Sequence, residues 1–435
     1  MNTPSHHKFL IAAANSGAGK TTITLGLIKA LRNRGKVVQP FKCGPDYIDT
    51  KLHTLAASKE AVNLDLYLSS TSHVQELFAT YSEQVDVSVV EGVMGLFDGY
   101  DKMQGSAAQV SETIDCPIVL VVNAKAAAYS VAPLLYGFKN FYKGIKVVGA
   151  IFNFVGSESH YRFLKEACED VGVVPLGYLP KREELVIPSR HLGLITDNDT
   201  ELVSTIDTMA KVIEETVDLD ALLELTANQT STYTPKTNET SGALNILVAK
   251  DEAFNFMYVA NIRALKQLGK VTYFSPLHDK ELPADVDFIY LPGGYPELFA
   301  KELSENSTMH NSILKYVEAG GKLFAECGGM MYVSSHIETA DGEWYPMVGI
   351  FNQEAKMKPM KLKLGYRYFT TSGGTEFKGH EFHYSHLESD LTSIVQQFGA
   401  KHQEVDTKLL RYKNALAGYT HLYWGEKANI LDLFK

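Results

Sequence analysis

Phe9-Leu10-Ile11-Ala12-Ala13-Ala14-Asn15-Ser16-Gly17-Ala18-Gly19-Lys20-Thr21-Thr22 is the stretch that decides the fold. Its apolar start, Phe9 to Ala13, reads as a buried strand, and the following Ile23 to Arg32 reads as an amphipathic helix. The glycine turn between them ends in Gly-Lys-Thr. Such a turn aims backbone N–H groups and a helix N-terminus at an anion, while the lysine reaches the outer phosphates and the threonine ligates Mg2+. Phosphate cradles of this kind usually begin with Gly, and that position here is Ala14. The match is therefore imperfect, and the strand-to-helix context carries the reading. Gly17, Gly19, Lys20, Thr21 and Thr22 are the predicted nucleotide contacts.

Beyond this turn the first half alternates strand-like and helix-like segments. Val37 to Phe41, Val85 to Val90, Pro117 to Val122 and Val147 to Phe152 read as further buried strands. That alternation predicts an α/β fold with a doubly wound parallel sheet of P-loop NTPase type. Ligands of such sheets bind in loops at the carboxyl ends of the strands. The second loop, Lys42-Cys43-Gly44-Pro45-Asp46-Tyr47-Ile48-Asp49, sets two carboxylates beside a lysine, which suits Mg2+ and an anion. An Asx turn is the bland alternative for its Asp-x-x-Asp. In the third loop, Glu91 directly follows a buried strand, where P-loop enzymes place a metal-organising carboxylate, and Asp98 precedes a turn glycine. Thr21, Asp46 and Glu91 are the expected metal ligands, and Lys42, Tyr47, Asp49 and Asp98 the expected substrate or phosphate contacts. Asn123 and Asn153 end later strands; Asn153 is assigned to the nucleotide, with a strand-end cap as its bland alternative. Ser189-Arg190-His191 is a candidate anion-positioning segment.

The chain has 435 residues, enough for two or three domains, with 45% hydrophobic and 21% charged residues, as expected of a soluble globular protein. A net charge of −10 argues against nucleic acid as the main partner. No apolar run is long enough to span a bilayer, and the first residues are polar rather than signal-like. The four scattered cysteines argue against zinc and disulfides and fit a reducing cytoplasm.

From Thr226 to Gly242 the sequence becomes Thr/Ser/Asn-rich without an apolar period, which predicts a linker over 226–242 between a domain at 1–225 and a second α/β domain at 243–435. In that second domain Pro292-Gly293-Gly294 follows a strand, and small residues there let N–H groups of Gly293 and Gly294 approach an oxyanion. Glu326-Cys327-Gly328-Gly329 places a cysteine at a strand-to-helix turn, a nucleophile elbow with sulfur in place of oxygen. A helix N-terminus there favours the reactive thiolate. Two sites compete for the base, Thr420-His421-Leu422 and Gly379-His380-Glu381-Phe382-His383, and spacing alone does not choose between them.

These motifs together resemble the cobyrinic acid a,c-diamide synthase family over essentially the whole chain. The resemblance rests on Ser16-Gly-Ala-Gly-Lys-Thr-Thr22, Phe41-Lys-Cys-Gly-Pro-Asp-Tyr-Ile-Asp49, Asn63-Leu64-Asp65 and Glu91-Gly-Val-Met-Gly-Leu-Phe-Asp-Gly99. It continues through Ser189-Arg-His-Leu-Gly-Leu194, Leu291-Pro-Gly-Gly-Tyr-Pro-Glu297, Glu326-Cys-Gly-Gly329, Gly365-Tyr-Arg367 and Gly379-His-Glu-Phe-His-Tyr-Ser385. The first half is similar to dethiobiotin synthetases and the second to class I glutamine amidotransferases.

What the resemblance implies is an ATP-dependent, glutamine-using amidation of cobyrinic acid at its c and then a acetate groups through acyl phosphates, with Mg2+ as cofactor. It implies Cys327 as nucleophile and, since the base in class I members is the C-terminal histidine, His421 rather than His383. Most class I members carry Glu two residues after that histidine; here Tyr423 stands there, so the resemblance supports a Cys327–His421 dyad. A homo-oligomer, no nucleic acid and no membrane complete the partner expectations. The basic run Lys356, Lys358, Lys361, Lys363 and Arg367 reads as strand-like, with substrate carboxylates or solvent as its partners. Rival readings are the same amidation of hydrogenobyrinic acid or Ni-sirohydrochlorin, and a ParA-like regulatory ATPase with a non-catalytic second domain.

Overall fold

The computed structural model describes residues 6–187, 200–228 and 242–435. The chain divides into two compact units, Met1–Lys236 and Thr237–Lys435. In the first, β1 (His6–Ala13), β2 (Val38–Cys43), β3 (Val62–Leu64), β4 (Val87–Glu91), β5 (Ile118–Asn123), β6 (Val147–Val155) and β7 (Val174–Pro180) form a sheet in the order 3-2-4-1-5-6-7. Every pairing along this path is parallel. Covered on both faces, such strands read as continuous apolar runs, and Phe9 to Ala13 are all buried. α1 (Lys20–Asn33) lays Ile23, Leu27, Ile28 and Leu31 into the same core as Phe9, Ile11, Val89 and Val119. Each such aliphatic side chain contributes roughly 1.5–3 kcal/mol through burial. The chain leaves β1 toward β2 on one side and later returns to β5 on the other, so the β1 carboxyl end lies at the switch point of the sheet.

The second unit is built on a six-stranded sheet in the order Gly269–Phe274, Leu244–Ala249, Phe288–Leu291, Lys322–Glu326, Ala415–Gly418, Leu409–Tyr412. All pairings are parallel except the last. Strand alternation splits its core in two: Ile246, Val248, Phe288, Tyr290 and Phe324 face one side, and Leu247, Ala249, Ile289, Leu291 and Leu323 the other. A second, antiparallel sheet contains Lys363–Thr370, Glu376–His383 and His421–Tyr423.

Three sequence expectations shift. Thr226 closes the helix Leu219–Thr226, and Ala227–Asn228 pairs antiparallel with His6 and His7. The remainder of the expected linker, 229–241, lies outside the described residues, as does Ser189-Arg190-His191. The basic run is not one strand. Phe351–Lys356 and Lys363–Thr370 belong to different sheets, and Pro359 interrupts the backbone between them. The sequence reads as a helix from Phe256 to Leu268; Phe256 instead ends the short strand Phe254–Phe256, paired with Gly293–Gly294, and the helix runs Val259–Leu268. Among the described residues no helix is long and apolar enough to cross a membrane.

Candidate functional site

Each unit carries one constellation. In the first, the turn after β1 delivers Gly19 at φ 91° as the residue before α1, a conformation glycine adopts without strain. A Cβ on Gly19 would lie 1.9 Å from Asn153 Nδ2. Asn153 is buried, its Nδ2 donates to the Ala18 carbonyl at 3.0 Å and its Oδ1 accepts from Phe154 N–H, so both ends of its amide are engaged by backbone. Gly17 (φ 77°) lies in the same turn, and Lys20, Thr21 and Thr22 open α1. Lys20 Nζ donates to the carbonyls of Met94 at 2.6 Å and Asn15 at 3.4 Å. Burial is the main influence lowering the Lys20 pKa, partly offset by Glu91.

Around Thr21 the ends of β1, β2 and β4 bring four charged side chains together. Thr21 Oγ1 donates to Glu91 Oε1 at 2.8 Å and lies 3.5 Å from Asp49 Oδ2. Lys42 Nζ, 3% exposed, donates to Asp49 Oδ2 at 2.5 Å and Glu91 Oε1 at 2.8 Å, with Asp46 Oδ2 at 4.0 Å. Burial opposes the Lys42 charge, but Glu91, Asp49 and Asp46 overcome it and hold its pKa well above the usual lysine value. Burial likewise favours neutral Glu91, yet Lys42 and His53 hold that carboxyl well below the usual range. Burial pushes Asp49 up to about 6 against the pull of Lys42.

His53 is a member of this cluster that sequence reading did not single out. It sits on α2 (Ile48–Ala57), fully buried, with Nε2 2.7 Å from Glu91 Oε2. Its signal was the four-residue spacing from Asp49, which puts both on one helix face. Asp46 makes the Asx turn named as its alternative: Oδ1 accepts from Ile48 and Asp49 N–H at 2.9 and 2.8 Å. Tyr47 is the buried N-cap residue of α2. Asn63 Nδ2 braces the same loop through the Gly44 and Asp46 carbonyls, both at 2.9 Å. Asp98 closes its own turn by accepting from Gly95 N–H at 3.0 Å, and Asn123 does so with Lys125 N–H. Among the described residues, no group of three or more His, Cys, Asp or Glu side chains forms a metal cage. The hard oxygen donors of Thr21, Glu91 and Asp46, with Asp49 alongside, gather around one cationic ammonium and suit an Mg2+ that takes its other ligands from phosphates and water.

In the second unit Cys327 stands between the strand Lys322–Glu326 and the helix Gly328–Val333 at φ 48°, ψ −109°. Its N–H donates to the Gly418 carbonyl at 2.8 Å, which pins the elbow to the next strand. His421 begins the strand His421–Tyr423 and lies buried within reach of the charge on Cys327. Burial works against a charged His421, but Cys327 and then Glu326 prevail and push its pKa up to about 10. Glu326 is fully buried: Oε1 lies 3.4 Å from His421 Nδ1 and accepts from the Tyr290 hydroxyl at 2.6 Å, and Oε2 accepts from Leu422 N–H at 3.1 Å. Sequence reading looked for an acid after the histidine and passed over Glu326.

Gly293 packs directly on the histidine, where a Cβ would lie 2.2 Å from His421 Cε1. Gly294 N lies 2.9 Å from the Cβ position of Gly328 in the elbow helix. The competing histidines take other roles in packing. His383 Nδ1 lies 2.8 Å from the Ser385 carbonyl, and its ring stacks on Tyr419 at 3.7 Å between centroids. Burial lowers the His383 pKa to about 4. His380 stacks beside His421 at 5.9 Å, and burial holds its pKa well below the usual value. Of the basic run, Lys356 pairs with Glu388 and Glu354, and Arg367 pairs with buried Glu381 at 2.6 Å.

Two family models match the chain: a CobQ/CobB/MinD/ParA nucleotide binding domain over residues 9–195 and a CobB/CobQ-like glutamine amidotransferase domain over 245–429. Similar curated proteins bear the name cobyrinate a,c-diamide synthase. That of Listeria innocua is 40% identical and covers 98% of each chain. That of Salmonella typhimurium is 37% identical over 98% of this chain and 97% of its own. That of Dehalococcoides mccartyi is 38% identical over 100% and 98%.

Proposed function

The chain belongs to the cobyrinate a,c-diamide synthase family, and from that premise we propose that it amidates the a and c acetate carboxylates of cobyrinic acid, using ATP and glutamine. The observation that carries the reading is the elbow cysteine beside a buried histidine that Glu326, its chain neighbour, contacts, in a chain that also presents a Gly-Lys-Thr turn. Residues 243–435 release ammonia, residues 1–228 consume it, and 229–242 link them.

Cys327 sulfur attacks the glutamine side-chain carbonyl carbon, and the oxyanion is met by N–H groups of Gly293 and Gly294. His421 gives its proton to the departing nitrogen, so ammonia leaves and a glutamyl thioester remains; water, deprotonated by His421, then releases glutamate. In the other unit Lys20 draws negative charge off the outer phosphates as the substrate carboxylate attacks the γ-phosphorus and ADP leaves. Ammonia attacks the resulting acyl phosphate at carbon, loses a proton and expels phosphate. Bound Mg2+ supplies charge neutralisation at the phosphates, and Thr21, Glu91 and Asp46 would hold it with Asp49 and Lys42 alongside. Gly17, Gly19 and Thr22 frame the cradle, Asn153 braces it, and Tyr47 and Asp98 shape the neighbouring loops.

We assign the protein to the cytoplasm on its four free cysteines, and expect no nucleic-acid or membrane partner and a homo-oligomer measurable by light scattering. The test is incubation of purified protein with ATP, Mg2+, glutamine and cobyrinic acid, reading product by mass spectrometry and glutamate release in parallel. Diamide formation is expected. Amidation of hydrogenobyrinic acid or Ni-sirohydrochlorin instead would overturn the substrate, and absence of glutamate release with every macrocycle would overturn the reading.

A further inference from the structure

We propose that Glu326, the residue immediately before the nucleophile, is the positioning carboxylate of the ammonia-releasing site, holding His421 by Nδ1 in the orientation and charge state that Cys327 requires. This inference rests on the assignment of Cys327 and His421 as the reacting pair. Along a regular strand, consecutive side chains point to opposite faces, so an acid next to a nucleophile would face away from its histidine. Here the strand ends at Glu326 and the chain turns at Cys327 with φ 48°. That turn lets both neighbours act on one imidazole, Cys327 through its charge and Glu326 at Nδ1.

The carboxylate is itself fixed. Tyr290, on the adjacent strand, donates to Oε1, and the main-chain N–H of Leu422, next to the histidine, donates to Oε2. Gly418 is the strand partner of Glu326, so no side chain competes for the space opposite it. A buried carboxylate held at both oxygens by a hydroxyl, a backbone N–H and an imidazole has its rotamer locked, which is the arrangement a fixed histidine tautomer needs. Other groups around the histidine cannot substitute. His380 beside it is kept neutral mainly by burial, with His421, Arg367 and His383 adding to that effect; His383 is held by the Ser385 carbonyl, and Arg367 is paired with Glu381.

The role differs from mere packing in what it does to the thiolate–imidazolium pair. With Glu326 neutral, the imidazolium loses its carboxylate, so the thiolate forms at higher pH and the imidazolium proton is lost at lower pH. The experiment measures glutaminase kcat and KM, and the rate of Cys327 alkylation by iodoacetamide, across pH for full-length Glu326→Gln and Glu326→Asp. The other three thiols are poor competitors: burial pushes Cys43 and Cys168 up to about 12 and raises Cys116 as well.

Expected for Glu326→Gln is a kcat loss of about 10²-fold, little change in KM, alkylation setting in at higher pH and a bell narrowed from both sides. Ammonia-dependent amidation in the same preparation reports that the protein is folded. Glu326→Asp keeps the charge and is expected to keep both limbs in place with a smaller loss of kcat. Unmoved limbs in Glu326→Gln would overturn the proposal, as would an unchanged kcat. If that variant does not fold, displaced limbs in Glu326→Asp would overturn it. Glutamate release by Cys327→Ser would instead refute the underlying assignment of the nucleophile.

Discussion

Glu91→Gln isolates charge from shape at the nucleotide site. Glu91 is fully buried and receives three contacts: Lys42 at 2.8 Å, Thr21 at 2.8 Å and His53 at 2.7 Å. Glutamine fits the same volume. Its oxygen serves Lys42 and Thr21, and its NH2 faces His53, which then carries its proton on Nδ1, an atom without a hydrogen-bond partner in the buried site. The hydrogen bond from Lys42 therefore loses its charge on one side, and that to His53 is reversed. Hydrogen bonds to charged groups contribute about 1.5–3 kcal/mol and neutral ones about 0.5–1.5, so two weakened bonds amount to about 2 kcal/mol. Asp49 still pairs with Lys42, which keeps the loss below the roughly 3–5 kcal/mol of a fully broken buried pair. At about 2–4 °C per kcal/mol for a unit of this size, the melting temperature of that unit falls by about 4–8 °C. Amidation with saturating ammonia, ATP and Mg2+ falls by about 10²–10³-fold, the scale of losing one electrostatic stabiliser of a transition state. The assay pairs differential scanning calorimetry with product formation from ammonia. An unchanged melting temperature together with unchanged amidation would refute both the buried network and the metal-organising role; Asp46→Asn then serves as the companion variant with the same expected loss of amidation.

His421→Ala is expected to depress glutamate release by about 10²–10⁴-fold, far more than His383→Ala; steady-state glutaminase assays of the two variants check this, and the reverse order would move the base to His383. Gly293→Ala would bring a methyl 2.2 Å from His421 Cε1, and the ring, enclosed by Glu326, Cys327 and His380, has to shift. A displacement near 1 Å at a reacting group costs about 10²-fold, so glutamate release should fall by that order while ammonia-dependent amidation persists, and full glutaminase activity would show the ring has room.

The parts legible in the sequence were those whose geometry is local. The Gly-Lys-Thr turn and the Glu326-Cys327-Gly328-Gly329 elbow each announce a strand-to-helix junction within a few residues, and apolar runs set the strands of both central sheets. His53 and Glu326 were not legible, for related reasons. His53, on a helix, acts through Glu91, which lies 38 residues away at the end of a strand, so only its spacing from Asp49 hinted at it. Glu326 was hidden because strand alternation points it away from the nucleophile until the positive φ at Cys327 is known. The basic run misled because charge was read without its partners: Lys356 and Arg367 are paired with acids on the strands hydrogen-bonded to their own, and Pro359 prevents one continuous strand.

The division of labour between the two constellations is tested most directly by Cys327→Ser assayed with glutamine and, separately, with ammonia as nitrogen source. Serine keeps the size of the side chain but lacks an accessible anion, so ammonia can no longer be liberated from glutamine. The predicted result is loss of glutamine-dependent amidation with ammonia-dependent amidation largely intact. Loss of both activities in a protein that melts as the unaltered chain does, or retention of glutamine use, would contradict the account.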